Sequence, residues 1–220
     1  MAERKATGAR VAVAVTILTV HEGTLQVLLL RRGAPPFDGW WALPGGLLPA
    51  GVTLDEFAAG KLAGETGVRE VFLEQLYTFT EPPEPTAPPA ATVAYFALVE
   101  HGVATLRAGE WPTRWWPVAD HPPLAFTNDE VVRVAVARLR GKLEYTNAAY
   151  SLLPEKFTFA QLQRTYEAIL GRPLDKRNFY RRILSLGLIE PLDEHLKVGA
   201  HRPAALFRFR RRQAEFLSPR

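Results

Sequence analysis

Five polar side chains near the end of the chain could bind a polyanion and read nucleic-acid bases: Lys176, Arg177, Asn178, Arg181 and Arg182. Arginine and lysine donate hydrogen bonds to phosphate and to the O6 and N7 acceptors of guanine, whereas asparagine pairs with adenine. The apolar residues Phe179, Ile183 and Leu184 recur among them at helical spacing. The pattern therefore predicts an amphipathic helix that buries one stripe and presents its cations to solvent.

A second helix is expected just before this one. Thr158 and Gln161 have the spacing of a capping box, and Gly171 and Pro173 end the apolar pattern that follows. Asp175 can cap the basic helix. Two helices joined by a turn that contains glycine are typical of a helix-turn-helix, whose second helix enters the DNA major groove. A plain helical hairpin with a solvated basic face has the same local pattern.

The segment after the basic helix indicates a wing. Residues 188–192 and 204–209 are apolar enough for two short strands, and the polar stretch between them contains Lys197, His201 and Arg202. A helix-turn-helix followed by a basic hairpin is a winged helix, whose hairpin contacts phosphate or the minor groove. We therefore predict DNA contacts from Lys197, His201 and Arg202 as well as from the basic helix.

The distribution of charge supports a division of the chain into two parts. Residues 146–220 contain 14 Lys and Arg against 7 Asp and Glu, a formal charge of +7, whereas residues 1–145 have a charge of −3. This asymmetry indicates that only the second part meets a polyanion. We predict a domain over residues 1–145 and a winged helix-turn-helix domain over residues 146–220.

Composition excludes several classes of protein. The 220 residues are 47% hydrophobic, which is ample for two cores, and contain no cysteine, so disulfides, thiolate catalysis and cysteine zinc sites are excluded. No apolar run approaches a membrane span. A cytoplasmic protein that does not associate with a membrane is expected. His101, His121 and His195 do not have the spacing of metal ligands.

The first part is predicted to be α+β. Apolar runs indicate strands over 11–20, 25–31, 71–79, 92–99 and 114–118. Thr53 and Glu56 form a capping box for a helix that ends at Gly67. Thr127 is expected to cap a second helix that runs to Leu139. The proline-rich residues 81–90 cannot lie within a sheet.

The stretch from Trp41 through Gly45 and Gly46 to Glu65 and Gly67 resembles the box of the Nudix hydrolases, G-x5-E-x7-R-E-U-x-E-E-x-G-U, where U is a bulky aliphatic residue. Four of its charged positions are changed here, to Val52, Gly60, Lys61 and Gly64. In that family the helix carboxylates hold divalent cations that activate water. Because Lys61 faces Glu65 one turn away, we expect no metal site, no Mg²⁺ requirement and no catalytic residue.

Both parts together resemble the Nudix-related transcriptional regulators of NAD metabolism, the NrtR family. The resemblance rests on residues 28–32, 41–46, 73–79 and 94–99 and, above all, on residues 157–179. It implies a Nudix-type α/β/α sandwich with a mixed sheet, followed by the winged helix. It further implies a homodimeric repressor of NAD-metabolism genes that binds a pseudo-palindromic operator and releases it when ADP-ribose binds.

The predicted effector site combines two glycines, an aromatic side chain and four charged side chains: Arg31, Arg32, Trp41, Gly45, Gly46, Lys61 and Glu65. Two segments depart from the family pattern. An Arg-Asp-Pro-Arg-like segment is replaced by the proline-rich residues 81–90, and Ala-Phe-Asp-His is replaced by residues 125–128. A related nucleotide or a sugar therefore stays open as the effector.

Two other classes of function remain open. A Nudix hydrolase that cleaves ADP-ribose or another nucleoside diphosphate derivative, with an appended nucleic-acid module, is disfavoured by Lys61 and Gly64. An RNA-binding or scaffold protein would be distinguished by competition between RNA and a double-stranded palindrome.

Overall fold

The computed structural model describes residues 10–69, 72–80, 90–104, 106, 111–197 and 203–212. Within these ranges the chain forms a seven-stranded mixed sheet with a helix on each face, followed by a helix-turn-helix and a three-stranded sheet. The predicted fold class, a Nudix-type sandwich followed by a winged helix-turn-helix, is confirmed.

The large sheet is built around two central strands. Its strands are β1 (Arg10–His21), β2 (Thr24–Arg31), β3 (Trp41–Ala42), β4 (Gly45–Leu47), β5 (Phe72–Thr80), β6 (Ala90–Leu98) and β7 (Thr113–Pro117). They are ordered β3-β2-β1-β6-β5, with β4 paired to β1 and β7 paired to β2. The β1–β6 pair is parallel, and every other pairing among these strands is antiparallel.

Alternation along β1 assigns each helix to one face of the sheet. Helix α1 (Leu54–Thr66) packs on the face of Val13, Val15 and Ile17. Helix α2 (Asn128–Tyr145) packs on the opposite face, where it shares a core with Ala14 and Leu18. Successive side chains of a strand point to opposite faces, so both faces of β1 are covered by protein.

A short 3-10 helix, Ala148–Leu152, leads into the winged helix. This part contains β8 (Phe157–Thr158), α3 (Phe159–Leu170), α4 (Lys176–Ser185), β9 (Ile189–Leu196) and β10 (Ala204–Phe209), and its sheet has the order β8-β10-β9. The core under α2 continues without interruption into this part, through Leu162, Ile183 and Phe207.

The local signals at the helix ends have the predicted geometry. Both side chains of each capping box accept the expected backbone hydrogen bonds, at Thr53 with Glu56 and at Thr158 with Gln161. The Asp175 carboxylate accepts from the backbone N–H of Asn178 at 2.8 Å. These caps satisfy N–H groups that have no partner within the first helical turn.

Three expectations about the elements are wrong. Helix α2 continues to Tyr145 instead of ending at Leu139, because Gly141 is tolerated within the helix and Lys142 is buried beyond it. The Thr127 side chain makes no capping hydrogen bond, and the side chains of Asn128 and Asp129 accept from the backbone N–H groups of Leu43 and Leu124. Strand β9 continues to Leu196, so residues 193–196 belong to the wing hairpin.

Several predictions fall outside the described residues. These are the proline-rich stretch at 81–89, the first residue of the strand predicted to begin at Val71, and the wing residues His201 and Arg202.

Within the described part of the chain, no helix has both the length and the apolar character needed to cross a membrane.

Candidate effector cavity and nucleic-acid interface

A cavity of about 310 Å³ lies where β1, β2 and β4 meet the first residue of α2. Its wall includes the polar side chains of Arg10, Arg32, Thr92 and Asn128, with two aromatic rings and two glycines beside them: Trp111, Phe126, Gly45 and Gly46. Cations, an aromatic surface and a small number of amide and hydroxyl groups are the functional groups that a nucleotide ligand needs.

The two glycines allow the backbone of β4 to lie against β1. A Cβ atom at position 45 would stand 2.2 Å from the carbonyl oxygen of Val13, a distance at which no side chain fits. Gly46 has a φ of 151°, which favours glycine. The Pro-Gly-Gly part of the Nudix-like segment is therefore explained by close backbone approach at the cavity wall.

Arg32 is held in place at the cavity mouth. Its Nε donates to the carbonyl of Pro36 at 2.9 Å, and its guanidinium carbon lies 5.1 Å from the centre of the Trp111 ring and 4.9 Å from that of Phe126. Burial lowers the pKa of Arg32, and Asp38 opposes that shift. A guanidinium stacked on aromatic rings is pre-organised to receive a planar or anionic group.

The aromatic side of the cavity mouth has an unusual backbone. Phe126 and Phe37 have positive φ values of 59° and 63°, and their ring centres lie 4.8 Å apart. Bulky residues rarely adopt this conformation, which is found preferentially where a ligand or a reacting group must be held. Phe126 is also 37% exposed, so part of its side chain is accessible to a ligand beside the Arg32 guanidinium.

Asn128 connects the cavity to helix α2. Its side chain is buried, and its Oδ1 accepts a hydrogen bond from the backbone N–H of Leu43 at 2.8 Å. The neighbouring Asp129 accepts from the backbone N–H of Leu124 at 2.9 Å. Helix α2 therefore begins in the wall of the cavity, tied to the loop that carries the glycines.

The other end of α2 is tied to the sheet and to the winged helix. Lys142 is buried and forms an ion pair with Glu74 of β5 at 2.8 Å, and Arg138 lies 3.4 Å from the same carboxylate. Arg140 donates to the carbonyl of Ile169 in α3 at 2.8 Å. One helix thus contacts both the cavity and the helix-turn-helix.

Helix α4 presents its charged residues to solvent. Phe179 and Ile183 are buried, and Phe179 packs on Phe159 and Tyr166 of α3 at ring-centre distances of 5.5 and 5.0 Å. All five predicted DNA-binding residues of this helix are exposed: Lys176, Arg177, Asn178, Arg181 and Arg182. Lys197, at the end of β9, is exposed as well. This arrangement leaves the helix free to enter a groove of DNA.

Ion pairs stabilise the wing. Arg208 of β10 lies 2.6 Å from Glu190 of β9, and Lys156 lies 2.7 Å from Glu194. Two of the hairpin carboxylates, Glu190 and Glu194, therefore have a cation beside them, which reduces their repulsion of a nearby phosphate backbone.

Comparison with known proteins assigns each part of the chain. Residues 9–135 match the family model described as NUDIX domain, and residues 149–209 match the model described as NrtR DNA-binding winged helix domain. The chain is 35% identical over 213 residues to the ADPR responsive transcriptional repressor NtrR of Acinetobacter baylyi, covering 94% of this chain and 84% of that protein. The chain belongs to the NrtR family.

Solved structures of the NrtR family have the same architecture. Shewanella oneidensis NrtR complexed with a 27mer DNA superimposes with a TM-score of 0.81 at 31% identity, covering 91% of this chain and 93% of that one. The Nudix domain of the same Shewanella protein, complexed with ADP ribose, matches with a TM-score of 0.55 at 30% identity, covering 63% of this chain and 94% of that one. The resemblance to the NrtR family inferred from the sequence is thereby confirmed.

The predicted effector residues lie in different places in this NrtR family member. Arg32, Gly45 and Gly46 line the cavity. Arg31 is exposed beside it, with its Nε bound to the carbonyl of Gly39 at 3.2 Å, and Trp41 packs against Trp116 at a ring-centre distance of 5.4 Å. Neither Arg31 nor Trp41 lines the cavity.

Lys61 and Glu65 lie on α1, outside the cavity lining. The Lys61 ammonium is 5.4 Å from the centre of the Phe57 ring, and that ring would meet a Cβ at Gly46 at 3.7 Å. Burial raises the pKa of Glu65, and the nearby Lys61 opposes the shift. Among the described residues, no three His, Asp or Glu side chains lie close enough together to hold a metal ion.

Apart from Arg32, Gly45 and Gly46, the lining residues were not predicted from the sequence; they include the polar and aromatic side chains of Arg10, Thr92, Trp111, Phe126 and Asn128. They come from different elements that only the folded sheet brings together. The departure from the NrtR family pattern at residues 125–128 was the one signal near them, and it falls on Thr127 and Asn128.

Proposed function

We propose that this chain is a DNA-binding transcriptional repressor, acting on NAD-metabolism genes, whose Nudix part binds ADP-ribose and thereby releases DNA. The observation that carries the proposal is the path of α2. This helix starts at Asn128 in the cavity wall and reaches the winged helix through Arg140. A ligand that changes the position of α2 would change the presentation of α4.

The chemistry of the cavity supports a nucleotide with a diphosphate. Arg10 and Arg32 supply positive charge, while Phe126 and Trp111 offer aromatic surface for a base. The homologues support the same choice, since the Acinetobacter relative is described as ADPR responsive and the Shewanella Nudix domain was crystallised with ADP ribose. A tenfold loss of DNA affinity needs only about 1.4 kcal/mol of difference in ligand affinity between the two states.

Binding without hydrolysis is the second element of the proposal. Metal-dependent cleavage of a diphosphate needs carboxylates around a divalent cation. The box positions at which the family signature has such groups are occupied by Val52, Lys61 and Gly64. Lys61 lies one helical turn from Glu65, where a cation opposes the binding of a metal.

The effector assignment is tested with two neighbouring arginines. Arg32→Gln should weaken ADP-ribose binding at least tenfold in calorimetry, because a charged donor in the cavity is lost. Arg31→Gln is the matched control, since this side chain is exposed and lies outside the lining. Equal losses in both variants, or in neither, would contradict the placement of the ligand.

The regulatory assignment is tested by measuring DNA release. Wild-type protein bound to its operator should dissociate when ADP-ribose is added, with and without Mg²⁺, and no ADP-ribose should be consumed. Cleavage of ADP-ribose in Mg²⁺ at ordinary enzyme rates would favour the hydrolase instead. Release by a sugar or another nucleotide, but not by ADP-ribose, would keep the repressor and change the effector.

Restoring carboxylates to the Nudix-like segment should restore Mg²⁺ binding. Replacing Val52, Lys61 and Gly64 together by glutamate should increase Mg²⁺ affinity, because it restores carboxylates at three positions where the family signature has them. Isothermal titration with Mg²⁺ compares this variant with the wild type. Equal Mg²⁺ binding by both proteins would show that these substitutions do not explain the difference from a hydrolase.

We also propose a homodimer on a pseudo-palindromic operator. A single winged helix covers one half-site, so useful specificity requires two, about 10 base pairs apart. Sedimentation should give about twice the mass of one chain. A monomer at micromolar concentration that binds DNA one-to-one would refute this assembly.

A further inference from the structure

The exposed face of α4 is centred on Arg181. Phe179 and Ile183 are buried against α3, and at about 100° per residue the direction opposite to them passes through Arg181. Arg177 lies one turn earlier on that face, and Leu184 lies about 4.5 Å further along the axis. Arg181, Arg177 and Ser185 lie nearest to that direction, and Leu184 and Asn178 lie about 60° to either side of it.

Arg181 is held by a neighbour on the same helix. Its Nη2 donates to the Oδ1 of Asn178 at 2.8 Å, and the backbone N–H of Asn178 is itself bound by Asp175. A guanidinium has donors only, so the Asn178 atom that faces it must be the acceptor oxygen. The Oδ1 of Asn178 already accepts from Arg181, so a bidentate pairing with adenine, which is expected from the residue type alone, would have to share that oxygen.

Leu184 is the apolar member of this face. It is 40% exposed, so the expectation that it lies in the buried stripe with Phe179 and Ile183 is wrong. The separation of Leu184 from Arg181 along the helix axis is close to the spacing of neighbouring base pairs. An exposed leucine at that distance can contact the apolar group of the major groove, the thymine methyl group. Water would otherwise cover this surface at a cost in free energy.

Two other candidates on α4 point elsewhere. Arg182 interacts electrostatically with the buried Tyr166 of α3, and Tyr180 packs edge-to-face on Phe159 at a ring-centre distance of 4.7 Å. Both lie at the flanks of the helix, where side chains reach phosphate instead of base edges.

Building on the proposed DNA-binding function, we propose that Asn178 is a positioning residue that holds Arg181 for reading a guanine, and that Leu184 reads the methyl group of an adjacent thymine. Arg181 donates to the guanine, while Asn178 acts through Arg181. The operator half-site should therefore contain a guanine and a thymine at neighbouring base-pair steps.

Selection from random double-stranded DNA with the full chain identifies the preferred half-site. Preference for guanine at one position should fall about tenfold or more in Arg181→Ala and in Asn178→Leu, and should survive in Asn178→Asp, which keeps the acceptor. Replacing that guanine by 7-deazaguanine should weaken wild-type binding and leave Arg181→Ala unaffected. Arg182→Ala should weaken all sequences evenly.

The thymine contact has its own chemical test. Deoxyuridine in place of the adjacent thymine should weaken wild-type binding about threefold to fourfold, the loss expected for one methyl group, and should not affect Leu184→Ala. An unchanged guanine preference in Asn178→Leu, or adenine at that position, would overturn the inference while DNA binding stands. Failure to select any DNA would overturn the proposed function and this inference together.

Discussion

Helices α1 and α2 cover opposite faces of the same sheet and are attached to it in different ways. Helix α1 is attached mainly by apolar side chains such as Ala58 and Leu62, with one hydrogen bond from Tyr95 to Asp55 at 2.5 Å. Helix α2 has an apolar stripe as well, and adds a buried amide at its start and a buried ion pair near its end.

This difference in attachment parallels the different positions of the two helices relative to the cavity and the winged helix. Helix α1 is part of the segment that resembles the Nudix box. Its exposed residues include Gly60 and Gly64, which lower helix stability and at which an added Cβ atom would meet nothing within 4 Å. Helix α2 has polar groups at the cavity and at the winged helix. The polar contacts of α2 are therefore the ones that connect the cavity of the proposed effector with the winged helix.

The largest effect should follow loss of the buried ion pair of α2. Lys142→Met should lower the free energy of unfolding by about 3 kcal/mol, the low end for a broken buried pair, because Glu74 keeps Arg138 at 3.4 Å. Denaturant titration measures the change. Arg138→Met, which removes the more exposed partner of the same carboxylate, should cost about 1 kcal/mol or less. Equal costs for the two variants would show that burial of Lys142 is not the cause.

A smaller effect is expected at the cavity end of α2. Asn128→Ala leaves the backbone N–H of Leu43 without its acceptor, at a cost of about 1–3 kcal/mol. Asn128→Asp retains an acceptor oxygen and should cost less. If α2 transmits ligand binding, Asn128→Ala should also reduce the fold-change in DNA affinity on adding ADP-ribose. A variant that loses stability but keeps the full fold-change would restrict Asn128 to a structural role.

The smallest effect should be a gain in stability on α1. Gly60→Ala and Gly64→Ala should each stabilise the protein by about 1 kcal/mol, because a Cβ there meets nothing within 4 Å and alanine is the better helix former. Thermal melting should shift upward by about 2–4 °C for each. Gly45→Ala is the contrasting variant, since its Cβ would collide with the Val13 carbonyl. Destabilisation by Gly64→Ala would mean that this exposed glycine has a role of its own.

The local elements were predictable from sequence because their signals are local. The capping boxes at Thr53 and Thr158, and the acidic cap at Asp175, satisfy backbone groups within four residues, so spacing alone reveals them. The family resemblance had the same origin, because it rested on contiguous motifs at fixed spacing. These signals identified both the sandwich and the winged helix.

The end of α2 and the cavity required contacts that the sequence does not display. Helix α2 continues past Gly141 because Lys142 finds a carboxylate on β5, 68 positions earlier in the chain. Helix α2 begins at Asn128 as expected, but the Thr127 side chain does not cap it, and the Asn128 Oδ1 accepts from the backbone N–H of Leu43 across the cavity wall. Arg10 and Trp111 line the same cavity as Arg32 because the pairing of strands in the large sheet brings distant residues together. The local sequence pattern does not reveal which strands pair.

The continuous core beneath α2 constrains how this architecture can evolve. Leu18 of the large sheet, Leu139 of α2 and Ile169 of α3 belong to one apolar cluster, so the seam between the two parts is itself interior. A winged helix transplanted from a relative would expose part of this cluster unless α2 and its partners travelled with it. The residues of this shared core should therefore change together during evolution. Substitutions that alter DNA specificity should be tolerated more readily on the exposed face of α4 than in the core between the two parts.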